Sequence, residues 1–400
     1  MPTNILVLNC GSSSVKYQMI DISSEQVLAS GLVEKIGLDE GNLSHKTFSG
    51  GDKPEEHRIT EQIQDHTEAL NLVMRAFRTW GPSLDDVVAV GHRVVHGGDR
   101  FSLPTIINDE VKQTIAELSG LAPLHNPPGL AGINAAQAVL PDVPHVAIFD
   151  TAFFSTLPPE AYTYAIDRDL AEQYHIRKYG FHGTSHAYIS RKAPEFMGCD
   201  PSTVNQIICH LGNGASISAV EHGKAIETSM GLTPLPGLVM GTRSGDIDPA
   251  VFPYLERSAN LSTAEVDDLL NKRSGMAGLA DGSSDFRDLW AKIDAGDTHA
   301  ALAMDVYVHR LVSYIGSYLA LLGHTDWIVF TAGVGENDNR SKARVIERLG
   351  GFGIKLDPEL NTPLVRQPKV ISAADSTVKV LVVPTNEELA MARDTYQVIR

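Results

Sequence analysis

The chain has 400 residues, of which 43% are hydrophobic and 20% charged, and its formal net charge is −16. Such a length and composition suit a folded globular protein with a sizeable core. The acidic balance argues against nucleic acid or an anionic membrane as partner, since both need basic surface, but a few arginines can still gather an anionic small substrate locally. Three cysteines, Cys10, Cys199 and Cys209, lack CxxC spacing, which argues against a disulfide framework or a cysteine zinc site. No apolar run reaches the roughly 18 to 20 residues of a membrane span, and the N-terminus lacks a signal-peptide pattern, so a cytoplasmic protein is expected.

The chain opens on an apolar strand, Ile5 to Leu8, and a second strand runs from Val15 to Ile20. Between them lies Asn9-Cys10-Gly11-Ser12-Ser13-Ser14, closed by Lys16. Short hydroxyls and free backbone N–H groups in such a turn make a lining for phosphate oxygens, although an ordinary Gly-Ser hairpin has the same look. Residues 37–58 read as further strands with exposed turns. From Thr60 the period becomes helical through Ile63, Leu70, Val73, Met74 and Phe77, and Gly81-Pro82 stops the helix. Val87 to Val95 reads as a buried strand that carries a charged Arg93, costly to bury without a partner. Asn108 caps a helix from Asp109 to Leu118, and Asn126-Pro127-Pro128 starts another, which leaves His125 on a loop at a helix N-terminus. The strand His145 to Phe149 ends in Asp150, a position where α/β folds place either functional groups or simple caps.

Tyr179-Gly180-Phe181-His182-Gly183-Thr184-Ser185-His186 precedes a helix expected to reach about Phe196. His182 and His186 have i, i+4 spacing, but no acidic partner or HExxH pattern supports zinc. At Val204 the chain starts again: a strand Ile207 to Cys209, the segment His210-Leu211-Gly212-Asn213-Gly214-Ala215-Ser216, and a strand to Val220. This repeats the opening hairpin, and two such turns facing each other would hold a polyphosphate from both sides. Residues 227–249 form a long loop with Pro234, Pro236 and Arg243-Ser244-Gly245-Asp246, and a loop of that length is more often functional than idle. Helical patterns dominate from about Ser262 to Leu322. The strand Trp327 to Phe330 leads into Thr331-Ala332-Gly333-Val334-Gly335-Glu336-Asn337, and the strand Val378 to Val383 into Pro384-Thr385-Asn386-Glu387-Glu388 and a terminal helix. Neither a Walker A pattern nor a GxGxxG after a strand is present.

These segments, in this order, resemble the acetate kinase family over nearly the whole chain: the opening turn, GHRVVHGG, LAPLHNPPG, IFDTAFF, RKYGFHGTSH, HLGNGAS, ETSMGLTPLPGLVMGTRSGDIDP, FTAGVGEN and PTNEEL. Cys10, where alanine is also familiar, is the one departure. The resemblance implies an α/β fold of two duplicated ribonuclease-H-like, actin-like ATPase domains, with mixed sheets flanked by helices and a cleft between them. The expected division is 1–150 with 385–400 as one lobe and 151–384 as the other, which carries most of the nucleotide pocket.

By resemblance the reaction is ATP + acetate ⇌ ADP + acetyl phosphate, by direct in-line transfer, with Mg²⁺ or alternatively Mn²⁺. Acetate is already ionised at pH 7, so catalysis rests on positioning and charge neutralisation. Arg93 and Arg243 would bracket the acetate and the phosphoryl group. His182, with His125 as a lesser contact, would donate to the phosphoryl oxygens. Asn9 and Glu387 match the magnesium positions. Asp150 matches a group that either accepts a proton or orients Arg243 or metal-bound water. Ser12, Ser14 and Lys16 would contact phosphates from one side and His210, Leu211, Gly212, Asn213 and Gly214 from the other. Asp285, Phe286 and Arg287, with Gly333, Val334, Gly335, Glu336 and Asn337, resemble the adenosine pocket. Val95, Leu124, Phe181 and Pro234 resemble the methyl pocket, and valine at 95 favours acetate over longer acids. The family also implies a homodimer and a metabolic link to phosphotransacetylase. A propionate or butyrate kinase of the same family is the nearest alternative. A non-enzymatic actin-like module would need no small-carboxylate site, and a sugar kinase would need an Asp base, for which only Asp150 is available.

Overall fold

The computed structural model describes residues 3–48, 53–362 and 367–400. Residues 49–52, inside the stretch expected to form strands with exposed turns, lie outside the described residues. The chain divides into two compact units, Met1–Ala152 with Asn386–Arg400, and Phe153–Thr385. Among the described residues no helix is long and apolar enough to cross a membrane.

Unit 1 is built on a mixed sheet of eight strands: β1 Asn4–Cys10, β2 Ser14–Asp21, β3 Gln26–Glu34, β4 Gly41–Thr47, β5 Glu55–Glu61, β6 Val87–Val94, β7 Thr105–Ile106 and β8 His145–Phe149. Their spatial order is β5-β4-β3-β2-β1-β6-β8-β7. β1, β2 and β3 are antiparallel neighbours, β6 joins β1 in parallel, and β8 joins β6 in parallel. β1 is apolar at every position from Ile5 to Leu8 because both its faces are covered. Leu6 and Leu8 pack with Leu70, Val73 and Phe77 of the helix His66–Trp80. Ile5 and Val7 pack with Leu389, Met391 and Ala392 of the terminal helix Glu387–Ile399. Truncating one such buried leucine to alanine costs about 2–5 kcal/mol. Through that terminal helix the last residues of the chain return to the first strand.

Unit 2 repeats the plan: β9 Asn205–Leu211, β10 Ala215–Glu221, β11 Lys224–Thr228, β12 Trp327–Thr331, β13 Lys369–Val370 and β14 Lys379–Val382, in the order β11-β10-β9-β12-β14-β13. Three antiparallel strands are again followed by two parallel ones, and the last strand again pairs antiparallel with a short edge strand, β13 on β14 as β7 on β8. The duplication therefore covers six strands, β3-β2-β1-β6-β8-β7 matching β11-β10-β9-β12-β14-β13, where the sequence shows only the hairpin. β4 and β5 extend the outer edge of the first sheet alone.

Several boundaries differ from expectation. Thr60 belongs to β5, and the helix begins only at His66, capped by Asp65, whose side chain accepts from the Glu68 backbone. The helix Gly183–Met197 starts at Gly183, so His186 is inside it. His210 and Leu211 continue β9 instead of lying in the turn. Ala332 to Asn337 is a short helix. The stretch from Ser229 to Pro249 has no helix or strand, as its prolines and glycines require.

Candidate active site

In unit 1 the chemistry gathers at the carboxyl ends of three parallel neighbours, the usual place in such sheets. Asn9 lies near the end of β1, Arg93 near the end of β6, and Asp150 just past β8. The Arg93 guanidinium donates from Nε to both Asp150 oxygens at 3.2 and 3.1 Å and from Nη2 to Oδ2 at 2.6 Å. Its Nη1 donates to Oδ1 of Asn9 at 3.2 Å. The charge inside the apolar strand is thus met by a two-point ion pair, with Asp150 fully buried. Asp150 orients Arg93, a partner the sequence did not single out.

Glu387, the first residue of the terminal helix, faces the same group. Burial raises its carboxyl to about 7, with Asp150 and Glu388 adding to the rise and Arg93 and Lys16 opposing it. No hydrogen bond to its carboxylate is found among the described residues. Lys16 forms an ion pair with Glu388. A half-buried carboxylate with raised proton affinity, near a second acid, suits a bound cation. Mg²⁺ takes only one or two protein oxygens and fills its octahedron with water and phosphate oxygens, so Asn9 Oδ1 and the Glu387 carboxylate fit such an ion.

The opening turn is compact: the Gly11 amide donates to the Ser14 carbonyl at 2.8 Å. Cys10 Sγ occupies the space over Gly132, where a Cβ would approach it to 2.3 Å. His125 is the residue before the helix Asn126–Val139 and makes no capping hydrogen bond from its side chain. Of the expected methyl-pocket residues in this unit, Val95 is half-buried and Leu124 is exposed.

In unit 2, His182 precedes the helix Gly183–Met197 in a left-handed conformation, φ 58°, unusual for a residue with a Cβ and typical of functional positions. Its Nδ1 shares a hydrogen bond with Ser216 Oγ at 2.9 Å. Ser216 Oγ also bonds Nε2 of His186 at 2.8 Å, and Nδ1 of His186 bonds Ser218 Oγ at 2.8 Å. Burial therefore holds His186 neutral, its proton affinity well below normal, with both ring nitrogens used by serines. The His182 ring stacks on His210, centroids 4.3 Å apart, and His210 Nδ1 bonds Ser185 Oγ at 2.8 Å. Two serines of β10 and one of the helix thus fix three imidazoles in place.

The turn between β9 and β10 comes to this group. A Cβ on Gly214 would lie 3.3 Å from Nε2 of His182 and 3.6 Å from Nη1 of Arg243. Anything held by that turn is therefore within reach of both. Arg243 Nη1 donates to the Pro234 carbonyl at 3.1 Å, and Phe181 is buried.

A cavity of about 590 Å³ opens beside the turn, lined by Gly212, Asn213, Asp285, Phe286, Arg287, Gly333, Val334 and Asn337, all expected nucleotide contacts. Trp290, Asp338 and Arg340 also line it and were not anticipated. The Trp290 indole donates to the Asp338 carboxylate at 3.0 Å, and the Arg340 guanidinium stacks 4.0 Å over the indole. Trp290 is on the helix Phe286–Asp294, whereas Asp338 and Arg340 open the helix Asn339–Arg348, so only tertiary packing joins them. Gly335 and Glu336 do not line the cavity. Glu336 turns its Oε1 inward to accept from the Ala332 and Thr385 amides at 2.9 and 3.0 Å.

The model of the acetokinase family matches residues 4–393. The acetate kinase of Leifsonia xyli subsp. xyli is 53% identical over 397 residues, covering 99% of this chain and 98% of the relative. Among solved structures, the acetate kinase of Porphyromonas gingivalis superposes with a TM-score of 0.93 at 42% identity, covering all of both chains. A propionate kinase from Francisella tularensis superposes with a TM-score of 0.92 at 39% identity over 99% of both.

Proposed function

Because the chain belongs to the acetokinase family, we propose that it is an acetate kinase, which transfers the γ-phosphoryl group of ATP reversibly to acetate. What supports this reading is that each unit by itself holds a fixed guanidinium group, Arg93 in one and Arg243 in the other, and that the second unit also holds a nucleotide-sized cavity. Arg93 is locked by Asp150 and Asn9, and Arg243 by Pro234. A neutral acceptor such as a sugar would leave those cations without purpose.

The mechanism follows from the side chains. The adenosine moiety occupies the cavity lined by Phe286, Trp290 and Val334, and the Gly212–Gly214 turn holds phosphate oxygens next to His182 and Arg243, with Ser12, Ser14 and Lys16 engaging them from the opening turn. Acetate arrives ionised, so no residue need remove a proton from it. Arg93 and Arg243 neutralise the carboxylate and the transferring group, and their fixed geometry supplies orientation at no cost of reorganisation. His182, held through Nδ1 by Ser216, would donate to the equatorial oxygens. Asp150 holds the Arg93 fork. Asn9 and Glu387 would hold Mg²⁺, which when bound neutralises phosphate charge. Val95, Leu124, Phe181 and Pro234 would surround the methyl group. The same reading takes the enzyme as a cytoplasmic homodimer metabolically linked to phosphotransacetylase.

The test is substitution of the two arginines. Arg93→Ala and Arg243→Ala should each lose about 10²-fold or more in acetate-dependent turnover, while calorimetry shows ATP binding retained. Near-normal turnover in either variant refutes the clamp.

A further inference from the structure

The segment that delivers Arg243 has no secondary structure over twenty residues, yet its guanidinium must be held to a fraction of an ångström. One acidic side chain closes the loop on itself. Asp246 Oδ1 accepts from the Gly237 amide at 2.7 Å, and the Asp246 amide donates back to the Gly237 carbonyl at 3.0 Å. Gly237 lies three residues after Pro234, whose carbonyl accepts from the Arg243 guanidinium. Arg243, Pro234, Gly237 and Asp246 therefore form a closed ring of chain and hydrogen bonds. Nothing larger than glycine fits at 245, since a Cβ there would meet the Leu238 and Gly237 carbonyls at 2.4 and 2.6 Å.

The Thr242 hydroxyl and the Ser244 amide tie the backbone beside Arg243 to the Asn271 and Leu270 carbonyls, and Asp246 ties the ring to a second rigid helix. Asp246 Oδ2 accepts from Tyr314 Oη at 2.6 Å and pairs with Arg310 Nη1 at 3.0 Å. Arg310 Nη2 also donates to the Asp246 carbonyl at 3.3 Å. Arg310 and Tyr314 are one turn apart on the 25-residue helix Thr298–Leu322, so they share a face. Burial and the Asp246 carboxylate keep the Tyr314 phenol protonated, and it is therefore a permanent donor. None of the three lines the nucleotide cavity.

We propose that Asp246, anchored by Tyr314 and Arg310, is a positioning residue that sets the Arg243 guanidinium for the acceptor carboxylate. The kinetic part rests on the acetate kinase reading, in which Arg243 clamps the acceptor. A displacement near 1 Å in such a group can cost about 10²-fold in rate. Losing one of the three anchoring interactions should cost less.

The test uses Tyr314→Phe, which removes one hydroxyl, with Asp246→Asn as a second variant of unchanged shape. Tyr314→Phe should lower kcat/KM for acetate about ten-fold with ATP affinity unchanged. In an Arg243→Lys background the same substitution should have little further effect, because coupled residues are not additive. The ¹⁵Nε–Hε resonance of Arg243, assigned by its loss in Arg243→Lys, should be sharp in the parent protein and broadened or shifted in Tyr314→Phe and Asp246→Asn. An equal fold-loss in both backgrounds, a matching loss of ATP affinity, or an unmoved Arg243 resonance overturns the proposal. If Arg243→Lys alone retains full activity, the clamp reading fails instead, and the resonance still decides whether Asp246 positions the side chain.

Discussion

Asp150→Asn separates two roles for this carboxylate that give the same loss of activity. The side chain is almost wholly buried and accepts three contacts from Arg93. Asparagine keeps the shape and one acceptor oxygen but offers an N–H₂ where the guanidinium fork needs a second lone pair. One strong charge-assisted bond is lost and one donor is set against another. Breaking a buried ion pair costs about 3–5 kcal/mol. Arg93 is 24% exposed, so water recovers part of this and about 2–3 kcal/mol is expected. For a unit of this size each kcal/mol lowers the melting midpoint by roughly 2–4 °C. Turnover should fall about 10²-fold because Arg93 is no longer aimed. The deciding assay is the pH profile of kcat for the parent and the variant. An orienting Asp150 predicts parallel profiles, since acetate brings no proton to be removed. A variant profile that loses an ionisation present in the parent would show Asp150 to be a proton acceptor and not an orienting group.

Two further outcomes are expected. Asn9→Ala should raise the Mg²⁺ concentration needed for half-maximal rate more than it raises KM for acetate, and the reverse order counts against its metal role. The buried imidazoles His45, His92, His145 and His186 all have proton affinity depressed by burial. The unfolded chain therefore binds protons that the folded chain refuses once pH drops below about 6.5, so stability is full above that value and declines below it, by up to about 1.4 kcal/mol per pH unit per imidazole. Glu387, raised to about 7, works in the opposite sense and offsets one of the four. Urea midpoints at pH 7.5 and 5.5 measure the difference, and equal midpoints would contradict it.

The strands most visible in the sequence are those buried on both faces, such as β1, β9 and β12, because continuous apolar runs bounded by Gly-Ser turns leave few alternatives. β3, Gln26–Glu34, was missed because its one-sided burial mixes Ser and Gly among its apolar positions. The repeated hairpin was visible, but the six-strand correspondence was not, since the crossover segments share no pattern. Arg93 was marked by its charge within an apolar run, and Asp150 by its place at a strand end. That the two belong together depends on β6 and β8 being parallel neighbours, a tertiary fact. Trp290 and Arg340 were silent for the same reason: an amphipathic helix shows which face is buried, not which ligand the opposite face meets. The ring through Asp246 could not be read at all, because loop hydrogen bonds leave no period.

Acetate as the phosphoryl acceptor is read out by the hydroxamate assay for acyl phosphate. With ATP and Mg²⁺, kcat/KM should be highest for acetate and fall for propionate and again for butyrate. One methylene is worth only about 1–3 kcal/mol, so the preference over propionate should be finite. A higher kcat/KM for propionate or butyrate would place the protein with its propionate kinase neighbour, and ADP release without any acyl phosphate would exclude a carboxylate acceptor.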